Sequence, residues 1–224
     1  NQHWGTYETY QVNSVGDTTR GGSILLNERI NYYHKPQFAL RDFWSVNDKL
    51  YISNIAYLSI GRGGGTGSKN SVTDAELLPN GQIDWQTIYD GNTGNNRFDN
   101  PFGLEIDQSI DANYSDTEHK SSRILRSSVN NHNWFGLLST FQYRASETWT
   151  YSGGLDLRSY RGQHYREVYD LIGGDYYIAP SDEYSQNEER GMLRKGDKFG
   201  YHNDGLVRWA GLFAQAEYST PAFS

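Results

Sequence analysis

Long segments on either side of the short connection Ser146-Glu-Thr148 alternate apolar and polar residues with a period of two. Ahead of it, Phe135, Leu137, Ser139, Phe141 and Tyr143 fall on one side, and Trp134, Gly136, Leu138, Thr140, Gln142 and Arg144 on the other. Behind it, Trp149, Tyr151, Gly153, Leu155 and Leu157 alternate with Thr150, Ser152, Gly154, Asp156, Arg158 and Tyr160. Near the end of the chain, Ala210, Leu212, Ala214, Ala216 and Tyr218 alternate with Trp209, Gly211, Phe213, Gln215 and Glu217. Only a β-strand sorts residues this way, because successive side chains point to opposite faces. In each segment one face is apolar and the other mixes charged or amide side chains with aromatics.

The remaining sequence extends this pattern. Strands are expected near 22–43, 48–62, 121–145, 148–172 and 198–219, with another inside 4–13. Aromatic residues make up 15% of the 224 residues, and there are 24 glycines, which sets the chain apart from disordered sequences and from Ala- and Leu-rich helical bundles. The longest apolar run, Trp209-Ala-Gly-Leu-Phe-Ala214, is far short of the roughly 18–20 residues that a membrane helix needs.

The connections alternate in length. Trp44-Ser-Val-Asn-Asp48 and Ser146-Glu-Thr148 are short, whereas 63–120 and 173–197 are long. Tight turns at one end of long hairpins and long loops at the other are the signature of outer-membrane barrels. The fold class expected is therefore all-β: antiparallel transmembrane β-barrel strands, five or six in number, forming part of a barrel. A charged side chain facing mid-membrane lipid costs roughly 2–4 kcal/mol, so the charged face is assigned to a wet lumen. Trp44, Tyr143, Trp149 and Tyr218, beside the short turns, are expected to form the interfacial girdle. The competing reading is a half-exposed sheet of a soluble protein, a β-sandwich or jelly-roll carbohydrate-binding module. Pro36 falls inside the first expected strand and is read as a bulge or as the point where the strand leaves the bilayer.

Charge is concentrated. Between Asn70 and Lys120, ten acids face only Arg97 and Lys120, so this stretch carries −8 of a net −7 and the rest carries +1. That balance speaks against a nucleic-acid partner, which requires a clustered basic excess. The absence of cysteine excludes disulfides, thiolate nucleophiles and cysteine-based metal sites. Both long stretches are read as extracellular loops.

Several motifs invite chemistry. Gly61-Arg-Gly-Gly-Gly-Thr-Gly67 fails the spacing of a phosphate loop and is read as a flexible exit from a strand. Asp107, Ser109, Asp111, Asn113 and Glu118 occupy calcium-loop positions, but Ala112 stands where the turn needs glycine. The expectation is a solvated acidic loop that concentrates cations weakly, with no resident metal or cofactor. The six histidines lack metal-ligand spacing, no nucleophile elbow occurs, and the Glu188-Glu189 pair is one of many among 27 acids. An all-β glycoside hydrolase has only the abundance of acids and aromatics behind it; no enzyme is expected. The candidate ligand-binding residues are Arg144, Asp156, Arg158 and Tyr160 on the inferred lumen face, and Trp85 and Tyr89 in the long loop. Each has a plainer reading: a charge ladder bracing the wall for the first four, loop packing for the last two.

Seven segments carry a family resemblance: Tyr32-Tyr-His-Lys-Pro-Gln-Phe38, Ile55-Ala-Tyr-Leu-Ser-Ile-Gly-Arg-Gly-Gly-Gly-Thr-Gly67, Asn130-Asn-His-Asn-Trp-Phe-Gly-Leu-Leu-Ser-Thr-Phe141, Tyr151-Ser-Gly-Gly-Leu-Asp-Leu-Arg-Ser-Tyr160, Gly162-Gln-His-Tyr-Arg-Glu-Val-Tyr-Asp-Leu-Ile-Gly-Gly174, Asn203-Asp-Gly-Leu-Val-Arg-Trp209 and Phe213-Ala-Gln-Ala-Glu-Tyr218. Together they resemble barrel strands of Bacteroidetes-type TonB-dependent outer-membrane receptors. The resemblance implies a large plugged barrel in the bacterial outer membrane. It also implies energisation by the TonB–ExbB–ExbD complex, uptake of a small nutrient ligand, contact with outer-membrane lipid and, in some members, a surface lipoprotein. No plug or TonB-contact segment is visible here, so the sequence resembles a middle portion of such a receptor. Further strands are then expected to pair with both ends, because unpaired edges are not tolerated in lipid.

Overall fold

A computed structural model of the chain describes residues 3–69, 72–95, 109–180 and 191–220. It is mostly antiparallel β-structure. The strands are β1 (Trp4–Val12), β2 (Thr18–Asn27), β3 (Gln37–Asn47), β4 (Leu50–Gly61), β5 (Gly64–Lys69), β6 (Ile124–Arg144), β7 (Trp149–Asp170) and β8 (Lys198–Tyr218), with one short helix, α1 (Trp85–Asn92). The hairpin β1–β2 stands by itself, and the other strands form one sheet in the order β3-β4-β6-β7-β8, with β5 also paired to β6. Among the described residues this sheet begins at β3 and ends at β8 without closing. No helix among them is long and apolar enough to cross a membrane, which says nothing about crossing by strands.

Two expectations about the elements are corrected. The strand expected over 22–43 is two strands in different sheets, β2 and β3. Pro36, which has no N–H to give a ladder, stands just before β3 instead of bulging within a strand. The stretch 63–120 is not a single polar excursion: the glycine-rich run is strand β5, in register with β6 from Gly64↔Val129 to Lys69↔Ile124. Glycine is required at position 64 because a β-carbon there would collide with the carbonyl of Ser128. Helix α1 follows in the same stretch, capped by Asp84, whose Oδ1 accepts from the backbone N–H groups of Gln86 and Thr87, both at 3.1 Å.

The chain divides into two compact units. The first comprises Asn1–Tyr32, Gly64–Val129 and His164–His202. All the described hydrophobic core belongs to it. One cluster joins Tyr7, Leu26, Ile83, Trp85, Ile88, Tyr89, Leu125 and Ile172; the other joins Ile124, Val168, Tyr177, Ala179, Leu193 and Phe199. The neighbours Ile124 and Leu125 feed different clusters, so the start of β6 is buried on both faces. Asn92, fully buried at the end of α1, stitches the unit together. Its Nδ2 donates to the carbonyls of Arg123, Leu171 and Ile172, and its Oδ1 accepts from the Ser122 N–H at 2.9 Å.

The second unit comprises Tyr33–Gly63, Asn130–Gln163 and Asn203–Ser224. It is a single sheet, and none of the buried hydrophobic residues lies in it. Its turns are tight. Asn47 Oδ1 accepts from the N–H groups of Lys49 and Leu50, and Ser146 Oγ accepts from those of Thr148 and Trp149.

Candidate functional site

Pairing register fixes the two faces of the second unit's sheet. Phe38 lies opposite Leu58 and Leu58 opposite Phe135; Leu40, Ala56 and Leu137 form the next row, and Trp44, Ile52 and Phe141 a third. Residues directly opposite in antiparallel strands share a face. A β-carbon on Gly153 would meet the Phe141 ring, and Trp149 packs on Tyr218 with ring centroids 5.0 Å apart, which places the apolar residues of β7 and β8 on that face too. No described residue of the unit covers them: Leu40 is 73% exposed and Leu212 85%.

Vertically the face is ordered. Aromatic rings (Trp44, Tyr143, Trp149, Tyr151 and Tyr218) gather beside the short turns. Polar residues appear at the other end: Asn133 lies ten residues from Tyr143, Arg161 ten from Tyr151, and Arg208 ten from Tyr218. Ten residues at about 3.4 Å each make about 34 Å along a strand, or about 24 Å along the normal of a layer crossed at about 45°. One row interrupts the band. Asp42, Asn54 and Ser139 lie in register, Ser139 Oγ donating to Asn54 Oδ1 at 2.6 Å and Asn54 Nδ2 reaching Asp42 Oδ2 at 3.4 Å.

The opposite face holds the polar candidates. Asp156 and Arg158 form a bidentate ion pair at 3.0 and 2.7 Å. Beside them runs an aromatic strip in which Tyr57 meets Trp134 edge-on at 6.2 Å, Trp134 meets Tyr160 edge-on at 6.2 Å, and Tyr160 meets His132 at 5.9 Å. Tyr33 closes the strip, its hydroxyl 3.0 Å from His132 Nδ1. Three glycines of this face stand where neighbouring rings leave no room for a β-carbon. Gly136 lies under the ring of Tyr57 and Gly154 beside that of Phe213, and a β-carbon on Gly61 would strike Tyr33 and His132. Arg144 sits apart at the short-turn end, its N–H donating to the Lys49 carbonyl.

Of the sequence candidates, Asp156, Arg158 and Tyr160 are thus brought together, and Arg144 is not part of the strip. Trp85 and Tyr89 are core residues of the first unit. Trp85 is 1% exposed, and Tyr89 stacks on Tyr7 at 4.8 Å and on Tyr10 at 5.8 Å. They are not free to stack on a ligand, and the packing reading describes them. The strip's other members, Tyr33, Tyr57, His132 and Trp134, were missed as site residues, although period-two reading had already placed Trp134 on this face. Period-two reading of 50–61 would have found Tyr57; no local pattern marks Tyr33 or His132.

The acidic loop shows how its charge is held. Asp111 binds Lys120 Nζ at 2.6 Å, Glu118 binds Arg194 at 2.9 Å, and Ser109 Oγ lies 2.6 Å from His119 Nδ1. Residues expected at calcium-loop positions are therefore already engaged, and no group of metal-ligating side chains occurs among the described residues. Asp107, Glu188 and Glu189 lie outside those residues. No family model, no curated protein and no solved structure matches the sequence.

Proposed function

We propose that the second unit is part of the wall of a β-barrel in a bacterial outer membrane, belonging to a TonB-dependent importer of an external nutrient. One observation carries the membrane reading: an uncovered apolar face whose aromatic edge and polar edge are ten residues apart on three strands. A face of that height matches the roughly 25 Å apolar band of a spanning barrel. In water it would be exposed on every strand, and large contiguous apolar surface is rare in soluble monomers. A sandwich needs a second sheet across about 10 Å of core, and the unit holds one sheet. Edges β3 and β8 are then the places where further strands pair.

The transport part rests on the sequence resemblance and on the opposite face, where the Asp156–Arg158 pair and the aromatic strip line the lumen. Aromatic rings beside a fixed ion pair suit a polar ligand with apolar faces. Energy would reach such a receptor from the TonB–ExbB–ExbD complex through a plug domain.

The absence of cysteine makes the test clean. Leu212→Cys and Gln215→Cys variants of the full chain, each labelled with an environment-sensitive dye, are compared in outer-membrane vesicles. The reading expects dye at 212 to be quenched by lipid-borne nitroxides and dye at 215 by aqueous iodide. Iodide quenching at 212 with no effect of the lipid nitroxides overturns it.

A further inference from the structure

The polar edge of the apolar face opens into a cavity of about 500 Å³ lined by Asn133, Phe135, Ser159, Arg161, Leu206 and Arg208, with Asp204 in its wall. It shares Phe135, Ser159 and Arg208 with a second depression of about 660 Å³, lined mainly by apolar side chains of the band, among them Leu40, Leu137 and Leu157. A donor-rich chamber thus leads directly into a hydrocarbon-lined trough.

We propose that these two cavities form one binding site for an anionic membrane glycerophospholipid, its phosphodiester held at Arg161 and Arg208 and one acyl chain lying along Leu157 and Leu137. This rests on the reading of that face as membrane-facing, and it adds a specific lipid site which that reading does not require.

The donors are in place. Arg208 is exposed, and no described residue pairs with its guanidinium. Arg161, 61% exposed, gives one nitrogen to Asp204 at 3.2 Å and keeps the others. Asn133 Oδ1 is taken by Arg62 at 2.8 Å, so its amide N–H groups are the half left to donate. Guanidinium groups match phosphate oxygens in planar, paired fashion. Arg161 and Arg208 stand against Asp204 alone, and Arg62 adds a further cation behind Asn133, so the site carries an excess of positive charge, which suits an anionic phosphodiester. A free phosphate would fill only the chamber; the trough is matched by an acyl chain, whose burial contributes about 0.8 kcal/mol per methylene.

The experiment is native mass spectrometry of the full chain released from a neutral detergent, with phosphatidylglycerol, phosphatidylcholine or water-soluble glycerophosphoglycerol added. Phosphatidylglycerol should be retained about tenfold more than phosphatidylcholine, the worth of one charge-assisted contact. Glycerophosphoglycerol should not be retained. The double variant R161Q/R208Q should fall to the phosphatidylcholine level, while Arg41→Gln, on the opposite face, should keep the preference. Equal retention of the two lipids, a preference that survives in the double variant, or equal binding of the soluble headgroup overturns the proposal. The same preparations labelled at residue 212 separate the two failures. Lipid quenching at 212 without the preference overturns the lipid site alone; water at 212 overturns the membrane reading as well.

Discussion

Phe199 and Leu212 lie on one strand, β8; the first is wholly buried and the second is 85% exposed. The strand thus passes from a packed core to a face with nothing on it. If hydrocarbon covers that face, Leu212→Arg should destabilise the folded protein in lipid by roughly 2–4 kcal/mol, the cost of a cation at mid-membrane. Gln215→Arg, on the opposite face, should cost under about 1 kcal/mol. Urea titration in lipid vesicles, followed by tryptophan emission, measures both. Equal effects would show that the two faces meet the same solvent.

The Tyr57 ring occupies the space of a β-carbon on Gly136. Gly136→Ala should therefore destabilise by about 1–3 kcal/mol through overpacking. The loss should shrink in the double variant with Tyr57→Ala, because the clash is gone. Additive losses would mean that the glycine is there for another reason. Gly154 is the contrasting case: the Ser139 carbonyl also blocks a β-carbon there, so Phe213→Ala should not rescue Gly154→Ala.

Asn92 is expected to be among the most sensitive positions of the first unit. Asn92→Leu removes the donor to the carbonyls of Arg123 and Ile172 and the acceptor of the Ser122 N–H, while the Leu171 carbonyl keeps the Ser121 hydroxyl at 2.7 Å. At about 1–3 kcal/mol for an unsatisfied buried group, a loss of about 2–3 kcal/mol is expected. Faster amide exchange at Ser122 is the specific readout.

Two carboxylates give the first unit an acid limit. Burial pushes the Glu28 carboxyl up, but the Ser68 N–H, His3 and Arg29 outweigh burial and hold it below its usual 4.5. Glu76 follows the same logic: burial raises it, while Arg123 and the N–H and hydroxyl of Thr73 hold it low. Folded values below the unfolded ones mean that this stabilisation is fully present above about pH 4.5 and is lost as pH falls through the folded values. Glu167 runs the other way, raised by burial, so its contribution improves on acidification. Amide exchange at Ser68 and Thr73 should accelerate below about pH 4.5. Glu28→Gln should flatten the response at Ser68, and Glu76→Gln that at Thr73.

The second unit was legible because its strands meet period-two demands on both faces at once. Phe135, Leu155 and Leu212 read as one face and Trp134, Asp156 and Gln215 as the other without any tertiary information. The first unit was legible only in part: the strand expected inside 4–13 is β1. The start of β6 is buried on both sides, so Ile124 and Leu125 are both apolar and give no alternation. Helix α1 spans only eight residues, too few for a 3.6-residue period to stand out, and includes Gly91 and Asn92. The break between β2 and β3 was hidden because Leu25, Leu26 and Phe38 flank residues that are themselves strand-like, such as Ile30, Tyr32 and Tyr33. The aromatic strip joins residues far apart in sequence, Tyr33 to His132 to Tyr160, and only pairing register reveals it.

The row Asp42–Asn54–Ser139 crosses the apolar band at mid-height and is its one discordant feature. Asn54 bonds Ser139 well at 2.6 Å but reaches Asp42 only at 3.4 Å, so the carboxylate is poorly satisfied within the sheet. Against hydrocarbon such a group is a net cost. Asp42→Val, which also suits a strand, should then stabilise the lipid-embedded protein by about 1–2 kcal/mol. If a strand or partner covering this edge instead presents a cation or N–H groups to Asp42, the same substitution strands those donors and should destabilise by about 2 kcal/mol or more. The sign of the change in urea midpoint thus reports what lies against β3.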